Sequence, residues 1–359
     1  MKAIRERSIT RRDFLRAAGI TGALGVSGSL LGAKVAQAHG GGHGGDKGSG
    51  GDGRSGMQQM PDSPVASDAM QELHMGNAAK GDVDLSRFDP TKFLRNFDYG
   101  EERKEAGRTV REYEITAQDA EIEVAPGVMY PAWTYNGQVP GPTLRATEGD
   151  RIRITFKNRA SMPHTMHFHG IHPADMDGMF EIVGVGREFV YEFDAEPFGS
   201  HIYHCHVLPL KEHIARGMYG AFIVDPKEGR EKADEMVMVM NGFDTNFDQS
   251  NELYAANTVA FHYARHPIRV KKNELVRIYI SNLLEFDFVN SMHIHANFFD
   301  YYPTGTKLEP SEFTDTKIFA QAERGIMEFR YKFPGMFMFH THISEFTELG
   351  WSGFFEVVE

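Results

Sequence analysis

The sequence predicts an all-β protein built of two similar β-sandwich domains, and three observations predict it. First, an alternating stretch, Asp150-Arg-Ile-Arg-Ile-Thr-Phe-Lys-Asn158, has a counterpart in Glu274-Leu-Val-Arg-Ile-Tyr-Ile-Ser-Asn282. Alternation of apolar and polar residues is the pattern of a half-buried strand. Second, each of these strands leads into a His-x-His pair, then to a second such pair, and each half closes on an apolar strand, Gly220-Ala-Phe-Ile-Val-Asp or Gly353-Phe-Phe-Glu-Val-Val. A repeat of this length implies two equivalent units. Third, helix signals are few, while Asn136-Gly137 and Pro140-Gly141-Pro142 mark turns.

Taken in order, residues 1–38 read as an export signal rather than structure. Thr10-Arg11-Arg12-Asp13-Phe14-Leu15 is a twin-arginine pattern, a Gly/Ala-rich apolar run extends from Ala17 to Leu31, and Ala36-Gln37-Ala38 offers a small-residue cleavage site. The apolar run is too short and glycine-rich to span a bilayer, and no cysteine follows it for lipid attachment, so no stable membrane anchor is expected. The expectation is a periplasmic or secreted protein exported by the twin-arginine pathway. Residues 1–38 carry seven Lys/Arg and two Asp/Glu, so their removal takes the net charge from −12 to −17. Such an acidic protein is a poor partner for nucleic acid or anionic membrane. Residues 39–80 are rich in Gly, Ser, Asp, His and Met, with His39-Gly-Gly-Gly-His43 and Met57-Gln-Gln-Met60. They hold too few apolar residues to fold alone and are expected to form a disordered arm, with or without weak copper binding. The two sandwiches are expected over 81–228 and 229–359, divided near Asp225-Pro226-Lys227-Glu228-Gly229.

The chemistry is concentrated in four pairs: His167/His169, His204/His206, His293/His295 and His340/His342. On a strand, residues i and i+2 face the same side, so each pair offers two imidazoles to one cavity. The single cysteine, Cys205, lies inside the second pair and excludes an intrachain disulfide. His164 precedes it, and His213 and Met218 follow at eight and thirteen residues. One thiolate, two imidazoles and a weak thioether make a trigonal blue-copper site. Alone, Cys205 would read as an inert buried thiol and Met218 as core filler; the four residues together read as ligands. The second half has lost this set. Asn290 stands where the first histidine would be, Thr341 replaces the cysteine, and Phe346 and Trp351 occupy the stretch of the later ligands. Its two histidine pairs survive, so they answer to a different metal centre, with the pairs of the first half as natural partners.

These residues carry a resemblance. His167-Phe-His-Gly170, His204-Cys-His206 and Asn136-Gly-Gln-Val-Pro-Gly-Pro142 resemble the motifs of multicopper oxidases in their small two-domain form, over about Arg108 to Glu359. The resemblance implies two cupredoxin-like Greek-key sandwiches and about four coppers per subunit. It implies type 1 copper on His164, Cys205, His213 and Met218; type 2 copper on His167 and His293; and a type 3 pair on His169, His204, His206, His295, His340 and His342. It further implies a homotrimer with clusters shared between subunits, O2 as acceptor, and a small phenolic, aromatic or metal-ion donor. His204 and His206, covalent neighbours of Cys205, would carry electrons to the cluster. Asp177 and Asp300, just after the first and third pairs, are candidates for supporting histidines and moving protons; solvated loop carboxylates are the plain alternative.

There is a departure. Seven residues separate Cys205 from His213, a longer loop than in larger laccase-like enzymes and similar to that of copper nitrite reductases. Those enzymes typically have aspartate at the position of His167 and no histidine at that of His206, so the ligand count favours the oxidase. A copper-sequestering or tolerance protein is the non-enzymatic alternative, supported by the arm but not by a blue-copper site joined to eight further histidines.

Overall fold

The computed structural model describes residues 81–359; the expected export signal and arm lie outside the described residues. Nine strands build the first half. They are β1 (Glu101–Glu105), β2 (Arg108–Ala125), β3 (Val128–Tyr135), β4 (Leu144–Thr147), β5 (Arg151–Asn158), β6 (His167–Phe168), β7 (Glu188–Asp194), β8 (Gly199–His204) and β9 (Tyr219–Asp225). Eleven follow: β10 (Asp234–Phe243), β11 (Leu253–Ala256), β12 (Ile268–Lys271), β13 (Val276–Asn282), β14 (Val289–Ile294) and β15 (Phe299–Pro303). The rest are β16 (Glu312–Thr314), β17 (Thr316–Ala320), β18 (Arg324–Phe329), β19 (Gly335–His340) and β20 (Ser352–Val358). The helices are short: α1 (Pro90–Phe93), α2 (Leu210–Ala215), α3 (His262–Arg265) and α4 (Ser344–Glu348). None among the described residues is long and apolar enough to cross a membrane.

The first half forms two sheets, β1-β2-β5-β7 with β3 on β2, and β4-β9-β8-β6. The second repeats the scheme as β11-β10-β13-β18-β15-β16 and β12-β20-β19-β14-β17. Pairing signs match too. β2 and β5 run parallel, as do β10 and β13; β4 and β9 run parallel, as do β12 and β20. The first histidine of each pair lies at or near the end of a strand (β6, β8, β14 or β19) and the second just beyond that end, so this common scheme delivers the histidine pairs to equivalent places.

The repeated strands differ in their surroundings. β5 alternates buried and half-exposed positions, as its sequence pattern requires, whereas every residue of β13 is buried. The reason is the packing of the halves. One apolar cluster, containing Ile154, Phe168, Tyr203, Cys205 and Met218, lies within the first half. The larger one starts on the other face of the same sheets, at Val124, Tyr130, Ile202 and Ile223, and runs without a break into Met238, Ile280, Phe339 and Trp351. A strand covered on both sides loses the exposed face that alternation predicts.

Candidate metal centres

The blue-copper candidates come together. Cys205 follows the end of β8, His213 sits in α2, and His164 is held in its loop by a two-way backbone bridge to Val183 (3.1 and 3.0 Å). Cys205 Sγ lies 3.2 Å from His213 Nδ1 and 3.7 Å from His164 Nδ1, and the two nitrogens are 3.2 Å apart. A circle through three points so spaced has a radius of about 2.0 Å, which matches ordinary metal–nitrogen and metal–sulfur bonds of about 2.0–2.3 Å. The residues therefore fit an ion at that point. Met218 is fully buried in the same cluster. The main chain ties the set: Cys205 N–H donates to the Met218 carbonyl (2.9 Å), and Met218 N–H to that of His213 (3.1 Å). Thr165 N–H points at Sγ (3.4 Å). Burial pushes His164 and His213 down to about 4, so both imidazoles are neutral lone-pair donors at neutral pH, while burial pushes the Cys205 thiol up.

The eight paired histidines form two quartets. In the first, His167 lies opposite His204 across the β6–β8 ladder, and the His167 ring is 5.1–5.2 Å from those of His169, His204 and His206. In the second, His293 lies opposite His340 across β14–β19, with 5.0, 5.4 and 4.9 Å from the His293 ring to those of His295, His340 and His342. The Nε2 atoms of His169 and His204 approach to 3.2 Å, and those of His295 and His340 to 3.0 Å. Among the described residues, no group of three or more ligand atoms within 4.8 Å of one another draws on both quartets.

Carbonyl groups orient four of these rings identically in the two halves. Nδ1 of His167 donates to Asp177 O (2.8 Å), of His204 to Cys205 O (2.9 Å), of His293 to Asp315 O (2.9 Å) and of His340 to Thr341 O (2.6 Å). A carbonyl can only accept, so the proton stays on Nδ1 and the Nε2 lone pair faces the cavity. A hydroxyl repeats the match. Thr165 Oγ1 accepts from His206 N–H at 3.0 Å, and Ser291 Oγ from His342 N–H at 2.8 Å.

In the second half the backbone of the blue-copper loop remains and the ligands are gone. Thr341 N–H donates to the Trp351 carbonyl (3.5 Å), and Trp351 N–H to that of Phe346 (2.9 Å). This makes Trp351 the counterpart of Met218 and Phe346 that of His213. Asn290 and Thr341 are fully buried in the remaining positions, and Phe346 stacks on Tyr254 with centroids 3.8 Å apart. Stacked aromatic carbon fills the space that ligands occupy in the first half.

The two carboxylates named from sequence are placed differently. Asp177 Oδ1 stands 3.2 Å from His167 Nδ1 and 3.7 Å from His172 Nε2. Gly178 makes that approach available: it has φ +74°, and a Cβ there would lie 2.0 Å from the Met166 carbonyl oxygen. Asp300, expected beside the third pair, lies on β15 in the opposite sheet, across from Glu328. Burial and that glutamate push its carboxyl upward. The carboxylate beside His293 is instead Asp315, whose Oδ2 is 4.0 Å from Nδ1. Sequence reading missed it because it follows its histidine by 22 residues, against ten for Asp177. His201 is buried and bonded to Pro197 O, and His262 to Thr91 Oγ1.

Comparison with known proteins agrees with this geometry. Two models of the multicopper oxidase family match residues 116–229 and 231–359. A crystal structure of a multicopper oxidase is 55% identical, with a TM-score of 0.76 over 77% of this chain and 100% of that chain. A copper nitrite reductase from Nitrosomonas europaea is 27% identical, with a TM-score of 0.64 over 70% of this chain and 94% of that one. A copper-containing nitrite reductase of Neisseria meningitidis is 31% identical over 237 residues, 60% of this chain and 61% of that protein. The chain thus spans about three fifths of the length of that curated relative.

Proposed function

Because the chain belongs to the multicopper oxidase family, we propose that it oxidises a small reducing substrate one electron at a time at the Cys205 centre and reduces O2 to water at a three-copper centre made from both quartets. Copper, when bound, supplies the one-electron steps and the site of oxygen reduction. The observation that carries the reading is the matched pair of quartets, each with two Nδ1 atoms pinned by carbonyls and Nε2 left for a metal. A nitrite-reducing centre needs one catalytic copper and has no use for all eight rings. His204 and His206 flank Cys205 in the chain, so a short covalent path joins the centres. The approach of Asp177 to His167 and His172 supports a role for it in holding and passing a proton.

The proposal includes a homotrimer in which each quartet is completed by that of a neighbouring copy. Exposure of His295 and His342 on the second quartet supports it. It also includes export by the twin-arginine pathway, supported by the motif at residues 10–15.

The test is copper content together with oxygen uptake on a phenolic donor. About four coppers per chain and oxygen consumed without peroxide are expected. About two coppers, with nitric oxide made from nitrite and no oxygen uptake, would move the protein to the nitrite reductases. Cys205→Ser is expected to abolish blue absorption and donor oxidation while leaving cluster copper in place. His206→Ala is expected to stop oxygen reduction and spare the blue band.

A further inference from the structure

Both imidazoles of the Cys205 centre are sealed. His164 and His213 are 0% exposed, so a donor in solvent touches neither ring. What covers them is Trp133, on β3, whose ring centroid is 4.7 Å from that of His213 and 5.7 Å from that of His164. Over the indole lies the guanidinium of Arg216, 5.3 Å from its centroid and 4.2 Å from that of Phe247. Arg216 is held there by the Pro131 carbonyl (2.8 Å) and by Glu212 (3.7 Å). Beyond it opens a cleft of about 420 Å³ between the two sandwiches, walled by Tyr130, Lys211 and Arg216 from the first and by Asp244, Phe247 and Phe286 from the second.

The cleft is a built feature. Phe247 and Phe286 both have left-handed backbone, φ +62° and +71°, which is costly for a bulky residue and persists only when the surroundings enforce it. The enforcement is visible. Asp244 accepts from the N–H groups of Asp248 and Gln249 (3.0 and 2.7 Å), bracing the loop of Phe247. Asn251 Nδ2 donates to Glu285 O (2.7 Å), tying that loop to the one bearing Phe286. Lys211 Nζ lies 4.6 Å from the Phe286 centroid. Phe247 and Phe286 both line the cleft, each with a cation over its ring, and aromatic walls beside cations favour a flat, electron-rich π-system.

We infer that this cleft docks a planar aromatic donor and that Trp133 is the positioning residue through which the donor's electron reaches His213. The redox half of this inference rests on the oxidase reading above; the docking half does not. With copper held by His164, Cys205, His213 and Met218, that centre would take one electron from a phenol at each step, and the phenol's proton would pass to water or to the Glu212 carboxylate at the cleft wall. An aryloxyl radical leaves, and four such steps match one O2 reduced to two waters.

Two measurements test it on the full chain. In calorimetric titration of copper-free protein with 2,6-dimethoxyphenol, Phe247→Ala and Phe286→Ala are each expected to weaken binding about tenfold, and Trp133→Phe to change it less than about twofold. In anaerobic bleaching of the blue band by the same phenol, Phe247→Ala should raise the half-saturating concentration about tenfold at an unchanged limiting rate. Trp133→Ala should lower the limiting rate about tenfold, with Trp133→Phe recovering most of it. Binding indifferent to both phenylalanines, or a limiting rate indifferent to Trp133, overturns the inference. Cleft-dependent binding without any bleaching keeps the docking site and overturns the oxidase reading. Oxygen uptake with binding untouched in both phenylalanine variants does the reverse.

Discussion

An imidazole has two nitrogens, and in both quartets the main chain chooses between them. The choice was hidden in the sequence, where His167 and His293 look alike but nothing indicates that Asp177 and Asp315 supply the carbonyls. The pairs themselves were legible because strand periodicity fixes them locally; the partners were not, because loops of different length bring them in. Two predictions belong to this scale. At pH 7, His164 and His213 are already neutral and only the Cys205 thiol holds a proton to lose. Loading copper should therefore release about one more proton from the native protein than from Cys205→Ser, read with an indicator dye in weak buffer; a difference of two or more would mean charged imidazoles. His262 is pushed by burial down to about 3, from an ordinary 6.5. The unfolded chain takes up that proton as pH falls below 6.5 and the folded one does not, so stability is lost as pH falls from 6.5 towards 3. For His262 the loss at pH 5 is about 2 kcal/mol. Urea unfolding of copper-free His262→Gln at pH 7.5 and 5 should show a smaller difference than the parent.

Between elements, the informative comparison is the loop after β8 with the loop after β19. They share hydrogen bonds but not length: Cys205 to Met218 is thirteen residues, Thr341 to Trp351 ten. The replacement of ligands by Asn290, Thr341, Phe346 and Trp351 was readable from the surviving histidine register. That Trp351 holds the place of Met218 was not, because only the backbone bonds identify it. Its burial makes it a packing residue, so Trp351→Ala should cost about 3–5 kcal/mol in chemical denaturation while leaving blue absorption unchanged. Loss of the blue band on refolded protein would show that the second sandwich supports the first centre directly.

For the whole molecule, the repeat made two sandwiches legible, but the alternation of β13 misled. Its second face is covered by the partner half, which no local pattern records. Across that seam runs a buried ion network. Arg145 binds Asp225 (2.8 and 2.9 Å) and Glu235 (2.7 and 3.1 Å), and Arg277 binds Glu235 (2.9 Å) and also Glu328. Burial alone would raise the Glu235 carboxyl; hydrogen bonds from Arg145, Arg277 and Tyr279 hold it below its ordinary range. Removing Arg145 takes a partner from two half-buried carboxylates, of which Glu235 keeps Arg277 and Tyr279, so Arg145→Ala should lose about 1–3 kcal/mol. Urea unfolding should remain one transition, because the halves share a core; two separated transitions would show that they fold apart.

That shared core has a mechanical consequence. The two walls of the aromatic cleft belong to halves joined by one continuous apolar core, so any swing of the mouth would have to open that core. A donor docked as inferred above would be sorted as by a fixed gauge, by thickness and outline. On that inference the path from cleft to His213 would keep one length, and its speed should be indifferent to the viscosity of the medium.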